Sequence, residues 1–162
     1  MTPALIALGA NLGTPRETLS WAKARLGELG EIVAQSRLYR TAPVGGPPGQ
    51  PDYLNAAISL STNLGPRALL RALQGIERAA GRERRERWGP RVLDLDLLAY
   101  GDLIQGASDL TLPHPRLLSR AFVLAPLADV APDWRHPVAA ITAREALARL
   151  DTSGVVALSE AW

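Results

Sequence analysis

The segment Val92 to Tyr100, Val-Leu-Asp-Leu-Asp-Leu-Leu-Ala-Tyr, constrains the fold more than any other stretch of the chain. It has the apolar run of a buried strand, interrupted only by Asp94 and Asp96. Side chains two apart on a strand leave the same face. The two carboxylates therefore stand side by side, while Leu93, Leu95 and Leu97 pack on the opposite face. Such a pair costs free energy on an inner strand unless something positive neutralises it. The preceding stretch is basic: Arg82, Arg84, Arg85, Arg87 and Arg91 outnumber Glu83 and Glu86, and Gly89-Pro90 breaks any helix. Two readings are open. Either the arginines form ion pairs with the aspartates, or the carboxylates hold Mg²⁺ and the arginines hold the phosphates bound to it. Mg²⁺ takes one or two protein carboxylates and fills its remaining positions with water and phosphate oxygens.

Periodicity orders the rest. Ala4 to Leu8 reads as a buried strand ending at Gly9, and Gly9 to Gly13 as a tight turn. That loop lacks the Lys-Ser/Thr of a phosphate-cradling loop. Thr14, Pro15 and Glu17 predict a capping box opening a helix, whose apolar stripe is Leu19, Ala22, Leu26 and Leu29. Ile32 to Tyr39 predicts a second strand. Residues 43 to 51 hold four prolines and three glycines, a surface loop that is either a lid or a plain linker. Tyr53 to Thr62 predicts a strand with Leu54, Ala56, Ile58 and Leu60 on one face and Tyr53 and Asn55 at its mouth. Pro66 opens a second helix with Leu69, Leu70, Leu73, Ile76 and Ala80 inward and Gly81 as its stop. After the Asp-x-Asp strand come a turn at Gly101-Asp102, a short strand at Leu110 to Leu112, a turn at Pro113 to Arg116, and a last helix capped by Thr142. The tail from Asp151 carries no pattern. Strand, helix, strand, strand, helix, strand describes a ferredoxin-like α+β sandwich with extra C-terminal elements. Residues 1–162 are expected to form one domain.

Composition narrows the chemistry. With no cysteine there are no disulfides or thiolate metal sites, and His114 and His136 are too few for a histidine-rich zinc site. The N-terminal apolar stretch is too short for a signal peptide or membrane span, so a cytoplasmic protein is expected. The net charge is only +2, yet six arginines fall between residues 78 and 91, which suggests an anionic partner.

The string Arg87-Trp88-Gly89-Pro90-Arg91-Val92-Leu93-Asp94-Leu95-Asp96-Leu97-Leu98 closely resembles the signature of the 6-hydroxymethyl-7,8-dihydropterin pyrophosphokinases of folate biosynthesis. The resemblance runs from Leu5 to about Pro132. It implies transfer of the β,γ-pyrophosphoryl group of ATP to the substrate's hydroxymethyl oxygen, with release of AMP. By that resemblance Asp94 and Asp96 are the ligands of two Mg²⁺ ions, and Arg82 and Arg91 join them as catalytic residues. The pterin would lie between Tyr53 and Phe122, with Trp88 closing the site and Asp94 within reach. Asn55 and Thr41, with backbone groups near Ala42 and Val44, would read the pterin's polar edge. The nucleotide side would comprise Gln74, Glu77, Arg82, Arg84, Arg91, Leu97, Leu110, Thr111, His114 and Arg120. Arg85 stands where relatives commonly carry lysine, one residue fewer separates it from Trp88, and Pro115 and Arg116 also depart from the pattern. A monomer with small-molecule substrates, binding neither nucleic acid nor membrane, is expected. Two rivals remain: an RNA-binding module stacking bases on Tyr53 and Phe122, and a kinase transferring a single phosphate. The 5% aromatic content and the acids beside the arginines weigh against the first.

Overall fold

The computed structural model describes residues 1–43, 48–81 and 92–162, and strand β1 (Thr2–Ala10) is the spine of its six-stranded sheet. In chain order follow α1 (Pro15–Leu26), β2 (Gly30–Gln35), β3 (Tyr39–Thr41), β4 (Tyr53–Thr62), α2 (Pro66–Ala79) and β5 (Asp94–Tyr100). A two-stranded ribbon, β6 (Gln105–Gly106) and β7 (Thr111–Leu112), precedes α3 (Ala121–Val130), α4 (Ala143–Ala148) and β8 (Val155–Ala157). The strands run β5-β1-β4-β3-β8, with β2 also paired to β4, and every pairing is antiparallel. This is the expected ferredoxin-like order, with the second strand of the repeat divided into β2 and β3.

Alternation builds two cores. Ala4, Ile6, Leu8, Ala56, Ile58, Leu60, Leu93, Leu95 and Leu97 point to one face, where they meet Leu19 and Leu26 of α1 and Leu69 and Leu73 of α2. Leu5 and Ala99 point to the other, against Val123, Leu124 and Leu127 of α3 and Ala143 and Ala146 of α4. A bulge opposite Leu5 and Ile6 adds Leu98 to that second core. The extra C-terminal helices thus cover the face that a two-layer sandwich leaves open.

Three expectations need correction. Ile32 to Tyr39 is not one strand. It breaks at Ser36, whose hydroxyl accepts from Ala57 N at 2.8 Å while its own N–H reaches Ala57 O at 2.9 Å. The hydroxyl replaces a ladder acceptor, so the strand shifts without orphaning a buried donor. The capping box at Thr14 does not form. Thr14 lies at ψ 81 and its side chain caps nothing, whereas Thr142 at ψ 162 makes both box bonds with Glu145. The tail carries structure after all: β8 pairs with β3, and the Trp162 indole donates to Ser36 O at 2.8 Å. By contrast Gly81, at φ +83, stands just beyond α2 where a left-handed residue was expected.

Candidate active site

Register places the polar residues in rows. Gly9 on the central strand pairs with Asn55 of β4 on one side and Asp94 of β5 on the other. Ala7 pairs in the same way with Ala57 and Asp96. Direct partners share a face, so Asn55, Asp94 and Asp96 border a floor of Gly9, Ala7 and Ala57. Two strand spacings, about 10 Å, separate the Asn55 side from the aspartates. Tyr39 pairs with Asn55 and Thr41 with Tyr53, which brings both β3 residues to this face.

The Asn55 side is buried and internally hydrogen-bonded. Asn55 and Thr41 are both buried, and the Asn55 amide donates to Thr41 Oγ1 at 2.6 Å. A Cβ on Gly9 would lie 3.0 Å from Asn55 Oδ1, so glycine there lets the amide settle against the strand. Asn11, also buried, donates to Pro51 O at 3.1 Å and Gln50 Oε1 at 3.4 Å. The loop read only as a turn therefore ties the end of β1 to the proline-rich segment. A polar residue between two glycines was the only signal, and its partners lie some 40 residues away. Phe122 is half-buried at the edge of the second core, and the Arg120 guanidinium lies 5.6 Å from its ring centroid.

The other side is a cleft of about 230 Å³ along the outer edge of β5. Asp96, Leu97, Leu110, Thr111 and His114, all named from the sequence, line it; Leu70, Ser108 and Asp109 line it too and were missed. Leu70 had registered only as a core position of α2. Arg67 grips Asp109 through Nε at 2.9 Å and Nη2 at 3.1 Å, fastening the cleft wall to the start of α2. Gln74 is exposed on α2. Glu77 is buried, and its Oε2 accepts from Leu95 N at 2.8 Å, so its carboxylate joins α2 to the strand between the two aspartates.

Charge is concentrated at the junction. The Asp96 side chain is exposed and forms no hydrogen bond or ion pair with any described residue. Burial pushes His114 below the ordinary histidine value, Asp96 opposes that shift, and Arg120 and Arg116 reinforce it. His114 Nδ1 accepts from Arg116 N at 3.2 Å, which leaves the ring proton of the neutral form on Nε2. Burial and Arg116 likewise lower Arg120, against the pull of Asp96. Arg120, His114 and Asp96 thus share one electrostatic field. Among the described residues no group of three or more metal-ligating side chains exists. Two carboxylates over small neighbours, open to solvent, suit a hard cation that keeps water and phosphate ligands better than a closed protein cage. Arg82, Arg84, Arg91, Trp88 and Val44 lie outside the described residues; Ala42 is exposed just beyond β3.

Comparison with known proteins identifies the family of the chain. The family model for 7,8-dihydro-6-hydroxymethylpterin-pyrophosphokinase matches residues 5–132. A 2-amino-4-hydroxy-6-hydroxymethyldihydropteridine pyrophosphokinase of Pseudomonas aeruginosa is 48% identical over 134 residues, covering 82% of this chain and 82% of its own. One from Methylorubrum extorquens is 45% identical, covering 96% of this chain and 98% of its own. Among solved structures, wild-type Plasmodium falciparum HPPK-DHPS with pteroate superposes with a TM-score of 0.73 at 15% identity. That match covers 91% of this chain and 42% of the larger one, and at this identity it bears on the fold alone.

Proposed function

The chain belongs to the 7,8-dihydro-6-hydroxymethylpterin-pyrophosphokinase family, and from that premise we propose which of its residues carry the reaction. The enzyme transfers a pyrophosphoryl group to the hydroxymethyl group of the dihydropterin in folate synthesis, and the family implies ATP as the donor. The observation that carries the assignment is the row Asn55, Gly9, Asp94 on adjacent strands of one sheet face. An edge-reading amide stands at one end and an acid at the other, across a floor low enough for a flat ring.

In this reading the pterin lies over Gly9, edge-bonded to Asn55 and Thr41 and to backbone groups near Ala42 and Val44. Tyr53, Phe122 and Trp88 cover its faces, because a flat polar heterocycle needs aromatic contact above and fixed polar groups at its rim. The hydroxymethyl group then points toward Asp94 and Asp96. ATP occupies the cleft beside β5, with Leu97, Leu110 and Thr111 around its base and sugar. Gln74 and Glu77 belong to the same side, Glu77 by holding the backbone of Leu95 in place.

Asp94 and Asp96 fit two Mg²⁺ ions, which when bound neutralise triphosphate charge and favour in-line attack on the β-phosphorus. The chain's own groups do the rest. His114 Nε2–H and Arg120 face the phosphates beside Asp96, Arg84 belongs to the nucleotide side, and Arg82 and Arg91 offset the negative charge that develops on the transferred and leaving groups. Holding two substrates in contact contributes several kcal/mol by itself. Residues 1–162 act as one domain, a cytoplasmic monomer.

Product analysis tests this function. Protein, Mg²⁺, ATP and the hydroxymethyl-dihydropterin should give AMP. ADP would indicate transfer of a single phosphate, and no turnover would reject the function.

A further inference from the structure

Phe122 and Asp129 are seven residues apart on α3, two helical turns, so both leave the same side of the helix. Pro126 lies between them and has no N–H to offer the Phe122 carbonyl, so the turn that presents Phe122 lacks one helical bond. Besides the core contacts of Val123, Leu124 and Leu127, a polar cluster holds α3 at its far end. Asp129 Oδ2 accepts from Arg37 N at 3.1 Å, Arg37 Nε at 3.1 Å and Tyr39 OH at 2.8 Å, while Oδ1 accepts from Arg37 Nη2 at 3.1 Å. Arg37 Nη2 also donates to Tyr39 OH at 2.9 Å. Arg37 sits in the break between β2 and β3, so its backbone N–H, freed from the ladder, is satisfied by the helix. Tyr39 is buried and shares its sheet face with Thr41, whose hydroxyl receives the Asn55 amide. The cluster therefore joins the helix carrying Phe122 to the strand carrying Thr41.

We propose that Arg37, Tyr39 and Asp129 are positioning residues that set the gap between Phe122 and the Thr41–Asn55 pair, and through it the affinity for the pterin ring. The inference rests on the assignment of Phe122, Thr41 and Asn55 as pterin contacts. An exposed arginine–carboxylate pair contributes little to stability when it stands alone. This one has its carboxylate one-fifth exposed, and both a backbone donor and a buried phenol converge on it. That is the geometry of a spacer, with the cluster on one side of the ring and no direct route to the nucleotide.

The test uses the full chain with Asp129→Asn and Tyr39→Phe, measuring pterin and ATP-analogue binding, kcat, and the circular dichroism melt. Pterin KM and Kd should rise on the order of 10-fold for Asp129→Asn, and less for Tyr39→Phe, with kcat and analogue binding near wild type. In a Phe122→Ala background the same substitutions should have almost no further effect on pterin binding. Folded variants with wild-type pterin affinity, equal loss of both ligands, or full additivity with Phe122→Ala would overturn the proposal. If Asp129→Asn does not fold, Tyr39→Phe decides by the same criteria. Should Phe122→Ala alone leave pterin binding unchanged, the assignment of that wall fails, and it fails independently of the cluster.

Discussion

Residue 9 has glycine because the strand face it occupies is already taken. A methyl group there would press on Asn55 Oδ1 at 3.0 Å, and the amide would have to move away from the ring edge it is proposed to read. Gly9→Ala should therefore raise pterin KM on the order of 10-fold and leave nucleotide binding alone, measured by steady-state kinetics with each substrate varied. Asp94→Asn and Asp96→Asn keep the shape of the acids but remove the charge. Each should lower kcat by about 100-fold or more with an unchanged melt. The two aspartates were legible in the sequence because a strand's period of two needs no partner to be read. Glu77 was legible only as a family position on the nucleotide side. Its bond to Leu95 N joins residues 18 apart on different elements, and local periodicity is blind to that. Glu77→Ala leaves a buried N–H without its acceptor, which should cost about 1–3 kcal/mol in urea unfolding.

At the scale of elements, hydrophobic period predicted every principal strand and helix of the repeat. It failed where a side chain replaced a backbone bond. Ser36 splits a strand by lending its hydroxyl to the ladder, and nothing in the alternation Ile32 to Tyr39 marks that exchange. β8 was missed because three residues pairing with three are too short to carry a pattern. The tie between α3 and β3 makes a prediction about pH. Burial tends to raise the Asp129 carboxyl, but the bonds from Arg37 and Tyr39 outweigh it and hold the group below 3.8. A depressed acid contributes stability that is whole above its unfolded value and is lost as pH falls through the folded one. The stability difference between wild type and Asp129→Asn should therefore persist from neutrality to about pH 4 and shrink below it, as followed by urea midpoints. Burial and the Asp129 bond push Tyr39 up to about 12 from 10.0, so its own contribution is lost as pH rises through that interval.

For the whole molecule, the sheet divides the labour between its two edges. β5, α2 and the β6–β7 ribbon form the cleft read as the nucleotide side, while β3, β4 and α3 frame the side read as the pterin's. The central strand joins them through Gly9 and Ala7, the smallest side chains that a floor can have. The terminal segment reinforces the β3 edge through β8 and the Trp162 indole, whose partner Ser36 lies 126 residues earlier, a contact that no local pattern could announce. Everything in this division depends on the acids of β5 serving as the meeting point of the two substrates. The most direct measurement is a crystal structure with Mg²⁺, a non-hydrolysable ATP analogue and the hydroxymethyl-dihydropterin bound together. Metal density touching both Asp94 and Asp96, with the triphosphate on one side and the hydroxymethyl oxygen on the other, is the predicted result. Both substrates bound with no ion in contact with either aspartate would contradict the account.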